Sequence, residues 1–109
     1  MISVKISELD WEKMGGILPV VAQSAETKEV LTLAYVNHEA LEKTLETGYA
    51  YYYRRSHQQV MMKGVTSGNT QRIQQVLTDC DNDAVVYLVT QKGPACHLGE
   101  RTCFHKNIE

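Results

Sequence analysis

No apolar run in the chain approaches the roughly 20 residues that a membrane span needs. The opening Met1-Ile2-Ser3-Val4-Lys5 also lacks the basic-then-apolar order of a signal peptide. Basic charge is not in excess. Eleven lysines and arginines against 13 acids leave a formal charge of −2, which argues against non-specific binding to nucleic acid or to an anionic membrane. Nor are apolar residues scarce, since a chain 43% hydrophobic and 22% charged does not have the composition of a disordered one. Its 109 residues suffice for one domain with one modest core. The expectation is a soluble, cytoplasmic single domain over residues 1–109, with neither a nucleic-acid nor a membrane partner.

A closed disulfide set is excluded too, because Cys80, Cys96 and Cys103 are an odd number. There is no Cys-x-x-Cys pair, which argues against a zinc ribbon or finger. All three cysteines lie in the last third of the chain, where histidine and aspartate also gather. Acidic residues are missing from Glu46 to Asp79, while Arg54, Arg55, Lys63 and Arg72 all fall in that gap. Residues 1–50 carry a net charge of −4 and residues 51–109 a net charge of +2. The basic stretch runs straight into Asp79-Cys80-Asp81-Asn82-Asp83, which suggests neighbouring anion and metal sites. Solvated strand faces are the plain alternative.

What is present reads as an α+β domain that is mainly β. Ser7-Glu8-Leu9-Asp10 has capping-box spacing and predicts a short helix to about Met14, stopped by Gly15-Gly16. Residues 17–22 read as a strand, with Pro19 favouring a sheet edge. Ala25-Glu26-Thr27-Lys28 interrupts a hairpin whose return strand is residues 30–36. Asn37 is a good helix cap and Gly48 a good stop, so one main helix is expected over about 37–47. Its apolar face would hold Ala40, Leu41, Thr44 and Leu45. Strands are expected over 49–54, 59–62, 70–79 and 84–91, and no clear period follows.

Three features could carry chemistry. In an extended chain Asp79, Asp81 and Asp83 would point to one face and repel one another unless a cation intervened. Their oxygens suit magnesium, calcium or manganese, although Asp and Asn are also ordinary turn residues. An EF-hand loop is a poor fit, because Ala84 and Thr90 stand where its glycine and glutamate belong. The three thiols could hold a zinc ion with an open position for water, or they could be buried hydrophobes. His97, beside Cys96, could ligate zinc, shuttle a proton or serve a structural role. The loop Gly64 to Asn69 could offer amides and the Ser67 hydroxyl to a phosphate, with Lys63 and Arg55 adding charge. It is not a Walker loop, and a flexible β-connection is the alternative.

In this order the segments resemble the phosphoribosyl-AMP cyclohydrolase family of histidine biosynthesis. The matching stretches are Leu33-Ala34-Tyr35-Val36-Asn37, Ala40-Leu41, residues 44–48, Arg55-Ser56, Lys63-Gly64 and Thr66-Ser67-Gly68. They continue with Asp79-Cys80-Asp81-x-Asp83, Cys96-His97-x-Gly99 and Arg101-x-Cys103-Phe104, so the likeness runs from about Gly16 to Phe104.

The resemblance implies magnesium on Asp79, Asp81 and Asp83. It also implies zinc on Cys80, Cys96 and Cys103, with ligands from both protomers of an intertwined homodimer. The implied reaction is hydrolytic opening of the adenine ring between N1 and C6 of phosphoribosyl-AMP. Water would be activated at zinc, with His97 the candidate for proton transfer. Arg55, Ser56, Lys63, Ser67, Gly68 and Arg101 would meet the phosphorylated nucleotide substrate.

The usual family pattern differs at Ser24, Arg54, His57, Met61, Val65, Leu98, Glu100 and Thr102. Most of these departures crowd around the expected substrate loops, and all six metal ligands are kept. A divergent paralogue opening another purine-like ring, or a non-catalytic zinc-binding protein, are the alternative functions.

Overall fold

Alternate residues of Leu18–Ser24 (β1) are buried, and so are Val85, Tyr87 and Val89 on Val85–Gln91 (β6). This period of two is what a strand with one face on the core requires. The two strands are paired in parallel, Val20 opposite Val85 and Ser24 opposite Val89. They form the centre of a four-stranded sheet that Val30–Val36 (β2) and Gln71–Thr78 (β5) complete at its edges, in the order β2-β1-β6-β5. Both edge strands pair antiparallel to their neighbours. Tyr51–Arg54 (β3) and Gln59–Met62 (β4) form a separate hairpin. The chain is seen in a computed structural model that describes residues 2–109. Among those residues no helix is long and apolar enough to cross a membrane.

The one α-helix, His38–Thr47 (α1), begins and ends where its caps require. The Asn37 side chain accepts from Ala40 N at 2.8 Å, and Gly48 adopts φ 79° while its N–H donates to Thr44 O at 3.0 Å. Ala40, Leu41 and Thr44 are buried against the sheet and the hairpin. Leu45, expected on the same face, is instead 53% exposed. Thr44 is a polar hub inside the core. Its hydroxyl donates to Ala40 O at 2.8 Å, accepts from Tyr51 N at 3.0 Å and meets the Tyr87 hydroxyl at 3.0 Å. Helix, hairpin and sheet are thereby tied at one point, and burial pushes the Tyr87 phenol well above its ordinary pKa.

Two further expectations fail. The helix to Met14 is absent: only a single 3-10 turn, Ile6–Glu8, forms, and turns follow up to Gly15 and Gly16. So short a segment gains little from helix propensity alone, and its polar groups find partners elsewhere: Asp10 N–H donates to Asn82 O at 2.8 Å. Pro19 does not mark an edge either, since β1 lies in the middle of the sheet. Pairing with β6 begins only at Val20, so Pro19 stands before that ladder, where its missing N–H is tolerated.

Candidate functional site

The turn between β5 and β6 brings the three aspartates together. Their carboxylate oxygens all lie within 4.8 Å of one another. Strand alternation, expected from the sequence, is not the cause, because residues 79–84 have left the ladder. The turn is closed locally instead: Asp79 N–H donates to Ala84 O at 3.1 Å, Asn82 N–H to Asp79 O at 3.2 Å and Asp83 N–H to the Asp79 carboxylate at 3.0 Å. Asn82 adopts φ 60°, a conformation its short polar side chain tolerates better than most.

A fourth charged group joins them. Lys13 Nζ pairs with the Asp83 carboxylate across the gap between the N-terminal segment and the turn. That ammonium, helped by hydrogen bonds with Asp79 and Asp81, holds the Asp83 pKa down at about 2. Asp81 moves the other way. Its hydrogen bond to Asp83, then desolvation and its neighbours' negative charge, raise its pKa. Of these two, Asp81 is therefore the more readily protonated. An all-oxygen set of mutually repelling carboxylates fits a hard divalent cation such as magnesium. Lys13 was missing from the sequence reading because 70 residues separate it from Asp83, and no local pattern links them.

The three thiols do not converge within a protomer. Among the described residues, the aspartates alone form a cluster of three or more groups that could ligate a metal. Topology supplies the reason: Cys80 lies before β6 and Cys96 after it, and the seven residues of that strand span about 20 Å at ~3.3 Å each. Cys80 is exposed and lines a cavity of about 830 Å³ beside Asp79, Leu41 and Leu45. Cys96 is buried and Cys103 exposed, both in the segment after β6. Three backbone bonds shape that segment. Ala95 N–H donates to Arg101 O at 3.3 Å, Cys96 N–H to Glu100 O at 3.1 Å and Gly99 N–H to Cys96 O at 3.0 Å. Cys103 N–H then donates to Leu31 O at 2.8 Å, laying the chain beside β2. Thiolate donors suit zinc, and within this one chain the three are not brought together. His97 is exposed in the same turn, next to Cys96.

Most of the expected substrate residues already have partners. Lys63 Nζ donates to Ala95 O at 2.7 Å, fastening the loop Gly64 to Asn69 to the Cys96 segment. Gly64 and Gly68 have positive φ, and a Cβ on Gly64 would sit 2.4 Å from the Asn69 carbonyl carbon. Ser67 Oγ accepts from Asn69 N at 3.2 Å, and Gly68 N–H donates to Gly64 O at 2.9 Å. Arg55 stacks its guanidinium 3.9 Å from the centre of the Tyr35 ring. Neighbouring Ser56 hydrogen-bonds the His57 ring at 2.9 Å. Arg101 donates to Glu29 at 2.5 Å, and this ion pair lowers the Glu29 pKa.

The loop Gly64 to Asn69 meets β6 at its far end, where Gln91 Nε2 reaches Asn69 O at 3.3 Å. Within a protomer that loop and the aspartate turn therefore lie at opposite ends of β6. The adjacency suggested by the charge pattern along the chain is not an adjacency in space. Tyr35, Lys13 and Glu29 are the residues that sequence reasoning did not mark for the site.

The comparisons bear on the same residues. A sequence model described as phosphoribosyl-AMP cyclohydrolase matches residues 32–105, a span that holds all three aspartates, all three cysteines and His97. A protein of Nitrosopumilus maritimus with the same name is 54% identical over 104 residues, covering 95% of this chain and 96% of its own. One of Archaeoglobus fulgidus is 50% identical over 102 residues, covering 94% of each. A histidine biosynthesis bifunctional protein of Pyrococcus furiosus is 52% identical over 103 residues, which are 94% of this chain but 49% of that one. The chain belongs to the phosphoribosyl-AMP cyclohydrolase family.

Proposed function

We propose that the protein hydrolyses phosphoribosyl-AMP in histidine biosynthesis as a homodimer that uses zinc and magnesium. The observation that carries this reading is identity of 54% at nearly full length to a relative bearing that enzyme's name. Cys80 of one protomer would join Cys96 and Cys103 of the other to hold zinc, because β6 keeps them apart in either protomer alone. When bound, zinc acidifies a water molecule towards neutrality. Asp79, Asp81 and Asp83 would hold magnesium, which suits a substrate carrying phosphate groups.

The reaction adds water across the N1–C6 bond of the adenine ring. The water oxygen joins C6, which keeps its exocyclic amine as an amide, and N1 leaves with the bonding electrons and takes up a proton. His97, exposed beside Cys96, would carry that proton. Lys63, Ser67 and Gly68 at one edge, with Arg55 and Ser56 on the hairpin, would hold the phosphorylated substrate. Arg101 reaches it only by leaving Glu29.

Subunit mixing tests the whole reading. Cys80→Ala and Cys103→Ala homodimers should both lack turnover of phosphoribosyl-AMP. Unfolded and refolded together, they should recover about a quarter of the wild-type rate, since half the dimers would be mixed and each mixed dimer would hold one intact site. Mixing without recovery would remove the shared zinc site. No turnover by wild type with full zinc and ample magnesium would remove the hydrolase assignment itself.

A further inference from the structure

We infer that Lys13 is a positioning residue of the carboxylate site, a resident counter-cation that sets how tightly a divalent ion binds there. This rests on the magnesium reading of Asp79, Asp81 and Asp83. Three carboxylates and one ammonium leave a formal charge of −2, the charge that one divalent ion neutralises. Without Lys13 the same pocket would present −3 and would hold a cation more strongly.

Chance proximity does not account for the contact, because the N-terminal segment is keyed to the turn at several points. Asp10 N–H donates to Asn82 O at 2.8 Å, and Asn82 Nδ2 donates to Glu8 O at 3.4 Å. Lys13 N–H is in turn held by the Asp10 carboxylate at 3.2 Å. The residues on either side of Trp11 are therefore fixed to the turn, while Trp11 itself donates to Ile6 O at 2.9 Å and packs its ring 5.5 Å from that of His38. The Lys13 side chain is 56% exposed, whereas that of Asp83 is only 15% exposed. The lysine therefore contacts a largely enclosed carboxylate from an exposed position. Lys13 also lies outside residues 32–105, the span matched by the family's sequence model.

Magnesium titration of the 15N-labelled, zinc-loaded protein tests the idea, with the Asp83 amide as the binding probe and the Trp11 indole as the probe of the segment. Lys13→Met keeps the alkyl stem and removes the charge. It should lower the midpoint for magnesium about tenfold at low ionic strength, and high salt should shrink that gap. Lys13→Arg should keep the wild-type midpoint. In wild type the Trp11 indole signal should move together with that of Asp83.

An unchanged or higher midpoint in Lys13→Met would overturn the inference and leave Lys13 a surface clamp, even if the Trp11 signal moved. The absence of a saturable shift in any of the three proteins would overturn both this inference and the magnesium reading. Zinc content and turnover would then judge the hydrolase assignment separately.

Discussion

The two ends of β6 carry differently built sites. At its start, five consecutive residues, 79–83, make a cluster of oxygen donors closed by bonds within the turn. Past its end, Cys96, His97 and Cys103 are placed by contacts with distant parts of the chain. Lys63 reaches Ala95, Cys103 lies against Leu31 and Arg101 is paired to Glu29 72 residues away. A cluster built from neighbours in sequence survives changes elsewhere in the fold. A group built from distant contacts depends on the whole sheet. The carboxylates of the first end also lie together within this one chain, whereas Cys80 stands apart from Cys96 and Cys103.

The sharpest way to break this contrast is at the thiols. Cys103→Ala should abolish zinc retention and cut turnover at least about 100-fold, while magnesium binding at the aspartate turn stays at wild-type affinity. Metal analysis and a magnesium titration on the same sample check both halves. Loss of magnesium binding as well would show that the two ends are one unit.

Gly64→Ala strikes the long-range end through the backbone. The new Cβ would meet the Asn69 carbonyl carbon at 2.4 Å, and φ 80° disfavours a side chain, so stability should fall by about 2 kcal/mol or more. Urea unfolding measures this. The aspartate turn should keep its amide pattern below the transition, and a variant as stable as wild type would contradict the close approach of the two loop arms.

A smaller effect is expected from Lys63→Met. It leaves the Ala95 carbonyl without its charged donor, at a cost of about 1–2 kcal/mol. Because Cys96 follows directly, its thiol should react faster with a disulfide probe in the metal-free variant. Unchanged reactivity would show that Lys63 does not hold that segment.

The least effect should come from acid acting on the pair of Glu29 and Arg101. The guanidinium hydrogen bond, then that of Thr27, lowers the Glu29 pKa below its ordinary value of 4.5. A carboxylate depressed in the folded state adds stability that is present above its unfolded pKa and is lost as pH falls through the folded one. For a pair this exposed the contribution is slight. NMR titration should find Glu29 below its ordinary value, and Arg101→Ala should raise it.

Much of this contrast could be read from the chain. Asn37 and Gly48 bound α1 as their capping chemistry requires, and residues 17–22 and 84–91 read as the strands that β1 and β6 form. The aspartate cluster was legible for the same reason, since all its members lie within one turn, although the cause of convergence is turn geometry and not strand alternation. The failures share a different cause. Pro19 suggested an edge because propensity sees only neighbours, whereas the strand beside it, β6, begins more than sixty residues further along the chain. The helix to Met14 gave way because its polar groups found partners in residues 82 and 83.

By itself the sequence determined the family and most of the element types, because these follow from residue chemistry and short spacings. The tertiary structure alone decided that Lys13 stands against Asp83 and that Arg55 covers Tyr35. It also decided that one strand's length parts Cys80 from Cys96 and Cys103. Those placements depend on the parallel insertion of β6 beside β1, a pairing between distant segments that burial of their shared inner face selects and no local pattern encodes.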